Sequence, residues 1–276
     1  GPGLRGLLFT SEKWPAGHPR FGSMALVTDC RSITWTTHWL RAPWFAARHN
    51  LWDTFSQTGL LPSHSYGPSE DGQSEPGALG ARVSLRPGES KTVTFYLTWY
   101  FPNFEKYWEG FQTACGCESG PRPTWKNYYA TRFQDALDVA RRLHAREKPL
   151  RAETGKLHAA LFSTTAPPYL LDAVSSQMAI LKTATCLRLT DGTFYGFEGS
   201  APIHGCCPGS CTHVWNYQQA LPFLFPSLER SMRTADYTHN FREDGSLGFR
   251  IRLPLGEPPD TYLACADGQM GGVLKT

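Results

Sequence analysis

The sequence predicts a β domain that is followed by the beginning of an α domain. Up to about Cys117 the apolar residues form short segments of alternating pattern, separated by Gly, Pro and Ser. After Pro123 they recur instead every three or four positions. The first pattern is typical of half-buried strands and the second of amphipathic helices. Many short strands with turn residues between them indicate a β-sandwich, and successive helices without intervening strands indicate helices packed on helices.

The clearest strand is Lys91–Tyr100, in which Val93, Phe95, Leu97 and Trp99 alternate with Thr and Tyr residues. This period of two predicts a strand with one buried face. Weaker strand candidates are Met24–Val27, Ile33–Trp35 and Ala81–Leu85, and Ser63–Gly80, rich in Ser, Gly, Pro and Glu, is expected to be a loop.

Four helices are predicted in the second half of the chain. The first places Phe133 and Ala140 on one face and ends in basic residues, which suit the negative end of the helix dipole. Pro167 and Pro168 suit the first turn of the third helix. The predicted helices are Ala130–His144, Ala152–Phe162, Tyr169–Thr185 and a fourth from about His213 to Leu224.

Composition excludes several classes of protein. Hydrophobic residues make up 41% of the 276 residues and charged residues 18%, which is the balance of a globular chain. The net charge is +3 and no long basic run occurs, so we expect no nucleic-acid partner. No apolar stretch is long enough to span a membrane. The nine Trp residues suit either a packed core or a flat ligand such as a sugar.

The segment Thr193–Arg233 carries the residue types most useful for chemistry. Thiolates and imidazole bind zinc, so Cys206, Cys207, Cys211 and His213 form a candidate metal site. Their C-C-x3-C-x-H spacing differs from the paired hooks of zinc loops, and a disulfide is a second alternative. We favour a third interpretation, in which small thiols pack in a tight loop. No metal or other cofactor is therefore predicted.

Other candidates are polar residues at the start of the fourth helix and two carboxylates. Ser210 or Thr212 is expected to cap that helix. Glu198 lies beside an aromatic residue, where burial would raise its pKa, and Asp267 lies in a Gly-flanked turn. Glycoside hydrolysis needs such a pair of carboxylates. The residues that we expect to line a pocket are His213, Trp215, Asn216, Asp267 and Gln269, with His213 and Asn216 near one helix face and Trp215 and Tyr217 pointing elsewhere.

Several strings resemble glycoside hydrolase family 116, the β-glucosidases related to non-lysosomal glucosylceramidase. They include RPGESKTVTFYLTWYFPN, NYYATRFQDALDVAR, PPYLLDAVSSQMAILKT, DGTFYGFEG, GCCPGSCTHVWNYQQALPFLFPSLERSMR, FRIRLPLG and ACADGQMGGVLKT. The resemblance implies an N-terminal β-sandwich followed by an (α/α)6 barrel. On this basis residues 1–125 are expected to form part of the sandwich, 126–166 a helical linker and 167–276 the truncated start of the catalytic domain.

The resemblance also implies retaining hydrolysis of a β-glucoside or glucosyl-lipid without a metal or organic cofactor, and so a role in carbohydrate or sphingolipid metabolism. In the family the nucleophile lies in a segment that reads L-E-G followed by N-T-Y-D, and the acid/base Asp in one like D-Q-T-Y-D. Neither string occurs here. We therefore assign no catalytic residue in this chain, keep Glu198 as the alternative nucleophile, and expect an internal fragment that is inactive alone.

Two other functions remain open on the sequence. One is a non-enzymatic module, stabilised by a metal at the Cys/His loop or binding carbohydrate. The other is a different (α/α)6 glycosidase, such as an inverting, glucoamylase-like enzyme. The first residues, GPGLRG, show neither a signal-peptide pattern nor a starting Met, so we expect the natural N-terminus to precede Gly1. A cytoplasmic location is favoured on the sequence, and a signal peptide before Gly1 stays an alternative. The sequence does not indicate an oligomeric state.

Overall fold

The computed structural model describes residues 3–70, 72–106, 122–200, 205–206, 210–253, 255 and 263–276. The chain divides into two compact units. The first comprises residues 1–16, 20–101 and 133–152, and the second comprises 17–19, 102–132 and 153–276. Both contain small antiparallel sheets and helices. In the part of the chain that is described, no helix is both long and apolar enough to cross a membrane.

The strands are short and pair antiparallel. Strands β1, β2 and β5 form one sheet in the order β1-β2-β5, and the others pair as β3–β4, β6–β7, β8–β9, β10–β11 and β12–β13. In chain order the strands are β1 (Arg5–Thr10), β2 (Ser23–Thr28), β3 (Ile33–Thr36), β4 (Ala78–Ala81), β5 (Phe95–Tyr100), β6 (Asn103–Glu105), β7 (Thr124–Lys126), β8 (Cys186–Arg188), β9 (Phe194–Gly196), β10 (Gly199–Ser200), β11 (Gly205–Cys206), β12 (Ser210–Cys211) and β13 (Arg250–Ile251).

The helices lie mainly in the C-terminal half. They are α1 (Ala46–Thr58), α2 (Ala136–Phe162), α3 (Pro168–Ser176), α4 (Thr212–Asn216), α5 (Leu221–Leu224), α6 (Pro226–His239) and α7 (Ala266–Leu274), with short 3-10 helices at Tyr128–Thr131 and Gln177–Lys182.

In the first unit, the three-stranded sheet packs one face against the start of α2. The Thr98 hydroxyl donates a hydrogen bond of 2.7 Å to the Ala136 carbonyl, and the Ser23 hydroxyl accepts one of 3.0 Å from the Ala136 N–H. Ala136 and Ala140 are fully buried, because their small side chains let the helix lie close to the strands. The hydroxyl groups on this polar face of the sheet thus form hydrogen bonds with the helix backbone. An apolar face could not provide them.

The buried face of β5 is not the apolar one. Tyr96, Thr98 and Tyr100 are buried, whereas Leu97 is 57% exposed and Trp99 is 60% exposed. The alternation in the sequence correctly predicted one buried face, but the apolar residues of the pattern lie on the other side. The strand is also shorter than predicted, since it begins at Phe95 rather than Lys91.

Other predicted boundaries in and near the first unit are also wrong. The strand expected at Ala81–Leu85 is replaced by β4, which ends at Ala81. Helix α1 lies in a region where the sequence suggested only strands and loops. The helices expected at Ala130–His144 and Ala152–Phe162 form the single helix α2, which continues through Pro149.

The second unit mixes short strand pairs with helices. The expectation of helices without intervening strands is therefore wrong for the described residues, since β8 to β13 lie between α3 and α7. The predicted helix from His213 to Leu224 is divided into α4 and α5, with turns between them. One apolar cluster joins the hairpin β8–β9 to α6 through Leu187, Tyr195 and Ala235. The (α/α)6 barrel and the domain boundaries at residues 125 and 166 stay predictions.

Candidate functional site

Helices α4 and α7 approach each other closely because α7 presents glycines to α4. A Cβ at Gly271 would lie 1.3 Å from the Asn216 side-chain oxygen, and a Cβ at Gly268 would lie 2.8 Å from the backbone of Thr212. Glycines three residues apart occupy the same face of a helix, so the contact is continuous over one turn. This contact brings His213, at the start of α4, to Asp267, in the first turn of α7.

The Asp267 carboxylate lies at the centre of a cluster of side chains. Its Oδ2 atom is 2.7 Å from His213 Nδ1 and accepts a hydrogen bond of 2.6 Å from the Tyr217 hydroxyl. Its Oδ1 atom accepts hydrogen bonds from the Cys265 thiol and from the Gly268 N–H. The donors from Cys265, Tyr217 and His213 hold the pKa of Asp267 far below its usual range. Asp267 is therefore ionised near neutral pH and serves as an acceptor rather than as an acid.

Cys265 and Tyr217 complete this cluster and remain protonated. Burial, followed by the hydrogen bond to Asp267, raises the pKa of the Cys265 thiol. The same carboxylate raises the pKa of Tyr217. The Tyr217 ring also meets the His213 ring edge-on, with centroids 5.7 Å apart. The side chains of His213 and Asp267 are 39% and 34% exposed, so the cluster is accessible from solvent.

The remaining pocket candidates have different surroundings. Trp215 is buried, and its indole N–H donates a hydrogen bond of 2.9 Å to the Phe197 carbonyl. Asn216 packs against Gly271, and Gln269 is half-buried on α7. The structure thus brings together His213 and Asp267 and places Trp215 in the core of the second unit.

Sequence reasoning missed Tyr217 and Cys265. Tyr217 follows His213 by four residues, which was the available signal, but it was expected to point away from the His213 face. Cys265 precedes Asp267 by two residues and gave no signal of its own. The expected cap of α4 is also wrong, because Cys211 is at the N-cap without a side-chain cap bond and the Thr212 hydroxyl bonds to the Phe249 carbonyl at 2.9 Å.

Glu198, the alternative nucleophile, has a cationic partner. Arg250 Nη2 on β13 is 2.5 Å from Glu198 Oε2, and the Glu198 side chain is 32% exposed. A guanidinium at this distance stabilises the ionised carboxylate. The Arg250 guanidinium also lies over the Phe249 ring, at 4.7 Å from its centroid.

The candidate metal ligands of the Cys/His loop do not form a group among the described residues. Cys211 is buried with Phe194 and Met232, whereas His213 Nδ1 faces Asp267 and Cys265. Cys206 belongs to β11, and Cys207 lies outside the described residues.

A buried ionic cluster joins α6 to the residue that follows α7. Arg233 Nε is 3.0 Å from Glu229 Oε1, and Arg233 Nη1 is 2.8 Å from Asp236 Oδ2. Lys275 Nζ is 3.7 Å from Glu229 Oε2 and donates a hydrogen bond to the Trp215 carbonyl. Burial raises the pKa of Asp236 to about 6, although Arg233 opposes this shift. The cluster contains two carboxylates and two cations, which offset one another.

A cavity of about 520 Å³ opens between the hairpin β8–β9 and α6. Its described lining includes Arg188, whose guanidinium lies 3.8 Å from the centroid of the Tyr128 ring, and the buried Tyr195. None of the residues singled out in the sequence as site candidates belongs to that described lining.

Comparison with known proteins identifies one matching family. The family model described as "beta-glucosidase 2, glycosyl-hydrolase family 116 N-term" matches residues 2–150, or 149 of the 276 residues. The resemblance predicted from the sequence is thereby confirmed. No curated protein matches the chain significantly.

Proposed function

Since the chain belongs to glycosyl hydrolase family 116, we propose that it serves the retaining hydrolysis of β-linked glucosides. The observation that carries the proposal is the family match over residues 2–150. The matching family model describes a β-glucosidase, and glycoside cleavage is the chemistry that the sequence also suggested. The substrate that we propose is a β-glucoside or a glucosyl-lipid.

We propose that His213, Tyr217 and Asp267 bind hydroxyl groups of the sugar. An ionised carboxylate beside an imidazole and a phenol offers both acceptors and donors, which sugar hydroxyls require. The low pKa of Asp267 supports this role and argues against proton donation, because a general acid must hold its proton near the working pH.

The catalytic pair is proposed to lie outside this chain, with Glu198 as the alternative nucleophile. Arg250 gives support to that alternative, since a retaining nucleophile must be ionised and the Arg250 guanidinium favours the ionised form. If Glu198 attacks the anomeric carbon of the sugar, a second carboxyl group about 5–5.5 Å away is required as the acid/base.

The proposed function can be tested with an aryl β-glucoside. Both the 276-residue chain and a chain extended beyond Thr276 by its own coding sequence are assayed, and the anomer of the first product is determined. Release of the β anomer supports retention. Release of the α anomer would instead support an inverting (α/α)6 glycosidase, and binding without turnover in both chains would support a carbohydrate-binding module.

The sugar-binding role is tested in whichever chain is active. Asp267→Asn should lower kcat/KM by roughly tenfold to a hundredfold, because a charged acceptor is lost. Asp244→Asn is the matched control, since Asp244 lies in an exposed turn with Ser246 as its partner. Equal effects of the two substitutions would reject the role of Asp267.

The two placements of the nucleophile predict different results for Glu198→Ala. If Glu198 is the nucleophile, activity falls to background, and added azide restores turnover and yields the α-glucosyl azide, because azide attacks from the side that the carboxylate occupied. If the nucleophile lies beyond Thr276, substantial activity remains and azide has no effect.

A further inference from the structure

We propose that His213, Cys265 and Asp267 form a binding site for a soft divalent cation of the zinc type. The ligand atoms would be His213 Nδ1, Cys265 Sγ and one carboxylate oxygen of Asp267. These atoms all lie within 4.8 Å of one another. The proposal concerns binding by this chain and does not depend on its hydrolysing a glucoside.

The three ligands have the chemistry that zinc prefers. Zinc binds imidazole nitrogen, thiolate sulfur and carboxylate oxygen in a tetrahedral arrangement, and sites with three protein ligands leave the fourth position to water. Hard cations such as magnesium and calcium prefer oxygen ligands, so a site with one sulfur and one nitrogen selects against them. Zinc binding would displace the Cys265 thiol proton to solvent and leave the thiolate on the metal.

The spacing of the nitrogen and sulfur atoms fits a metal, whereas the carboxylate must move to admit it. Cys265 Sγ lies 3.4 Å from His213 Nδ1. A tetrahedral zinc with bonds of about 2.1 Å to nitrogen and 2.3 Å to sulfur places these two atoms about 3.6 Å apart. Asp267 Oδ2 is 2.7 Å from Nδ1, whereas a tetrahedral zinc places a nitrogen and an oxygen ligand about 3.4 Å apart, so the carboxylate must withdraw by roughly 0.7 Å to admit the ion. The hydrogen bond from the Cys265 thiol to Asp267 Oδ1 must also break as the thiol loses its proton.

The surroundings support both access and orientation. His213 and Asp267 are partly exposed, so an ion and its remaining water can enter from solvent. The Tyr217 hydroxyl, 2.6 Å from Asp267 Oδ2, can orient the carboxylate from outside the ligand set. The close packing of α4 on α7 through Gly268 and Gly271 holds the two halves of the site together.

This site differs from the one that the Cys/His loop suggested. It retains His213 but replaces Cys206, Cys207 and Cys211 with residues from the start of α7. Under the proposed function, a bound ion would occupy His213 and Asp267 and compete with the sugar. Inhibition by zinc is an added consequence, whereas binding itself is measured without substrate.

To test the proposal, the purified 276-residue chain is titrated with Cd²⁺, and binding is monitored by the ultraviolet absorption of the cadmium–thiolate bond. A separate titration with Zn²⁺ is measured by calorimetry. The readout is the difference between wild type and Cys265→Ser. We expect the variant to lose one equivalent of thiolate-bound cadmium, and His213→Gln and Asp267→Asn to weaken zinc binding about tenfold or more. Circular dichroism checks that each variant is folded.

Cys30→Ser and Cys207→Ser are the matched controls. Cys30 is partly exposed in the first unit, where its thiol faces the Ser32 carbonyl. Both controls should bind as the wild type does. Absence of stoichiometric binding by the wild type, or binding that Cys265→Ser leaves unchanged, would overturn the proposal. If Cys207→Ser loses metal binding and Cys265→Ser retains it, the proposal is also overturned, and the metal site lies in the Cys/His loop instead.

Discussion

The indole ring of Trp215 lies directly against the backbone of Gly196. A Cβ at position 196 would lie 1.9 Å from Trp215 Cε2 and 2.2 Å from Nε1. The indole is also fixed by its hydrogen bond to the Phe197 carbonyl. The ring therefore cannot turn away without loss of that bond, and the hairpin β8–β9 and α4 are tied together at this point.

We predict that Gly196→Ala destabilises the protein by roughly 2–3 kcal/mol, because overpacking displaces a buried ring and its hydrogen bond. Urea unfolding followed by Trp fluorescence measures the change. Gly155→Ala is the control, since nothing lies within 4 Å of a Cβ at that position in α2. It should stabilise by about 0.5–1 kcal/mol through helix propensity. Effects of the same sign would contradict the packing of Trp215 on Gly196.

The two faces of the three-stranded sheet should respond differently to truncation. Leu97→Ala is predicted to cost less than about 1 kcal/mol, because Leu97 is 57% exposed. Val27→Ala, at a buried position paired with Tyr96, should cost roughly 2 kcal/mol. Denaturant unfolding compares the two. A larger cost for Leu97→Ala would show that the apolar face is the buried one after all.

Ser23 is predicted to stabilise the start of α2 from a distant strand. Its hydroxyl accepts the Ala136 N–H, one of the amides that the first turn of a helix leaves unpaired. Ser23→Ala should therefore cost about 1 kcal/mol, as the loss of a helix cap does. Ser56→Ala, at an exposed position of α1, serves as the comparison in the same unfolding assay and should cost nothing. Equal changes in unfolding free energy for Ser23→Ala and Ser56→Ala would refute the capping role of Ser23.

Asp236 should make the protein less stable as the pH rises through the mildly acidic range. Its pKa is raised from 3.8 to about 6 by burial, so the folded state binds the proton more tightly than the unfolded state does. Below about pH 4, Asp236 is protonated in both the folded and the unfolded state. Between about pH 4 and 6 it ionises more readily in the unfolded state, which lowers the free energy of unfolding, and above about pH 6 this loss is constant. A rise in pKa from 3.8 to about 6 corresponds to roughly 3 kcal/mol of unfolding free energy.

Asp236→Asn removes this titration. The unfolding free energy of the variant relative to wild type should rise by up to about 3 kcal/mol between pH 4 and pH 7. Urea unfolding at four pH values measures this difference. Asp244→Asn should show the opposite trend, because the Ser246 hydrogen bonds lower the pKa of Asp244 and its contribution is lost as the pH falls. A difference for Asp236→Asn that does not change with pH would refute the shifted pKa.

Sequence patterns located secondary structure best where local periodicity was strong. The strand at 95–100, the strands at 23–28 and 33–36 and much of the helix at 136–162 were all predicted in type. Helix α1 was missed because its sequence has no strong apolar face at helical spacing. In agreement with this, its apolar residues Trp52 and Phe55 are exposed in the structure. Short strand pairs such as β12–β13 were missed because two-residue strands carry no periodic signal.

The candidate site was predicted only in part. His213 and Asp267 were both named, but their meeting depends on the contact of Gly268 and Gly271 with α4, across 54 residues of sequence. The same contact adds Cys265, so that the possible metal ligands grouped by the structure are His213, Cys265 and Asp267 rather than those of the Cys/His loop, which the sequence offered as an alternative. Trp215, which was expected to line a pocket, is instead buried in the core.

The sequence by itself determined the family, the order of a β-rich region before a helical one, and the residue types available for chemistry. These follow from motifs and from periodicities that the chain carries locally. Only the tertiary structure decided which face of β5 is buried, which partners surround Asp267 and where Trp215 lies. Alternation shows that one face of a strand is covered but not by what, and here the small Ala136 and Ala140 let α2 cover the polar one.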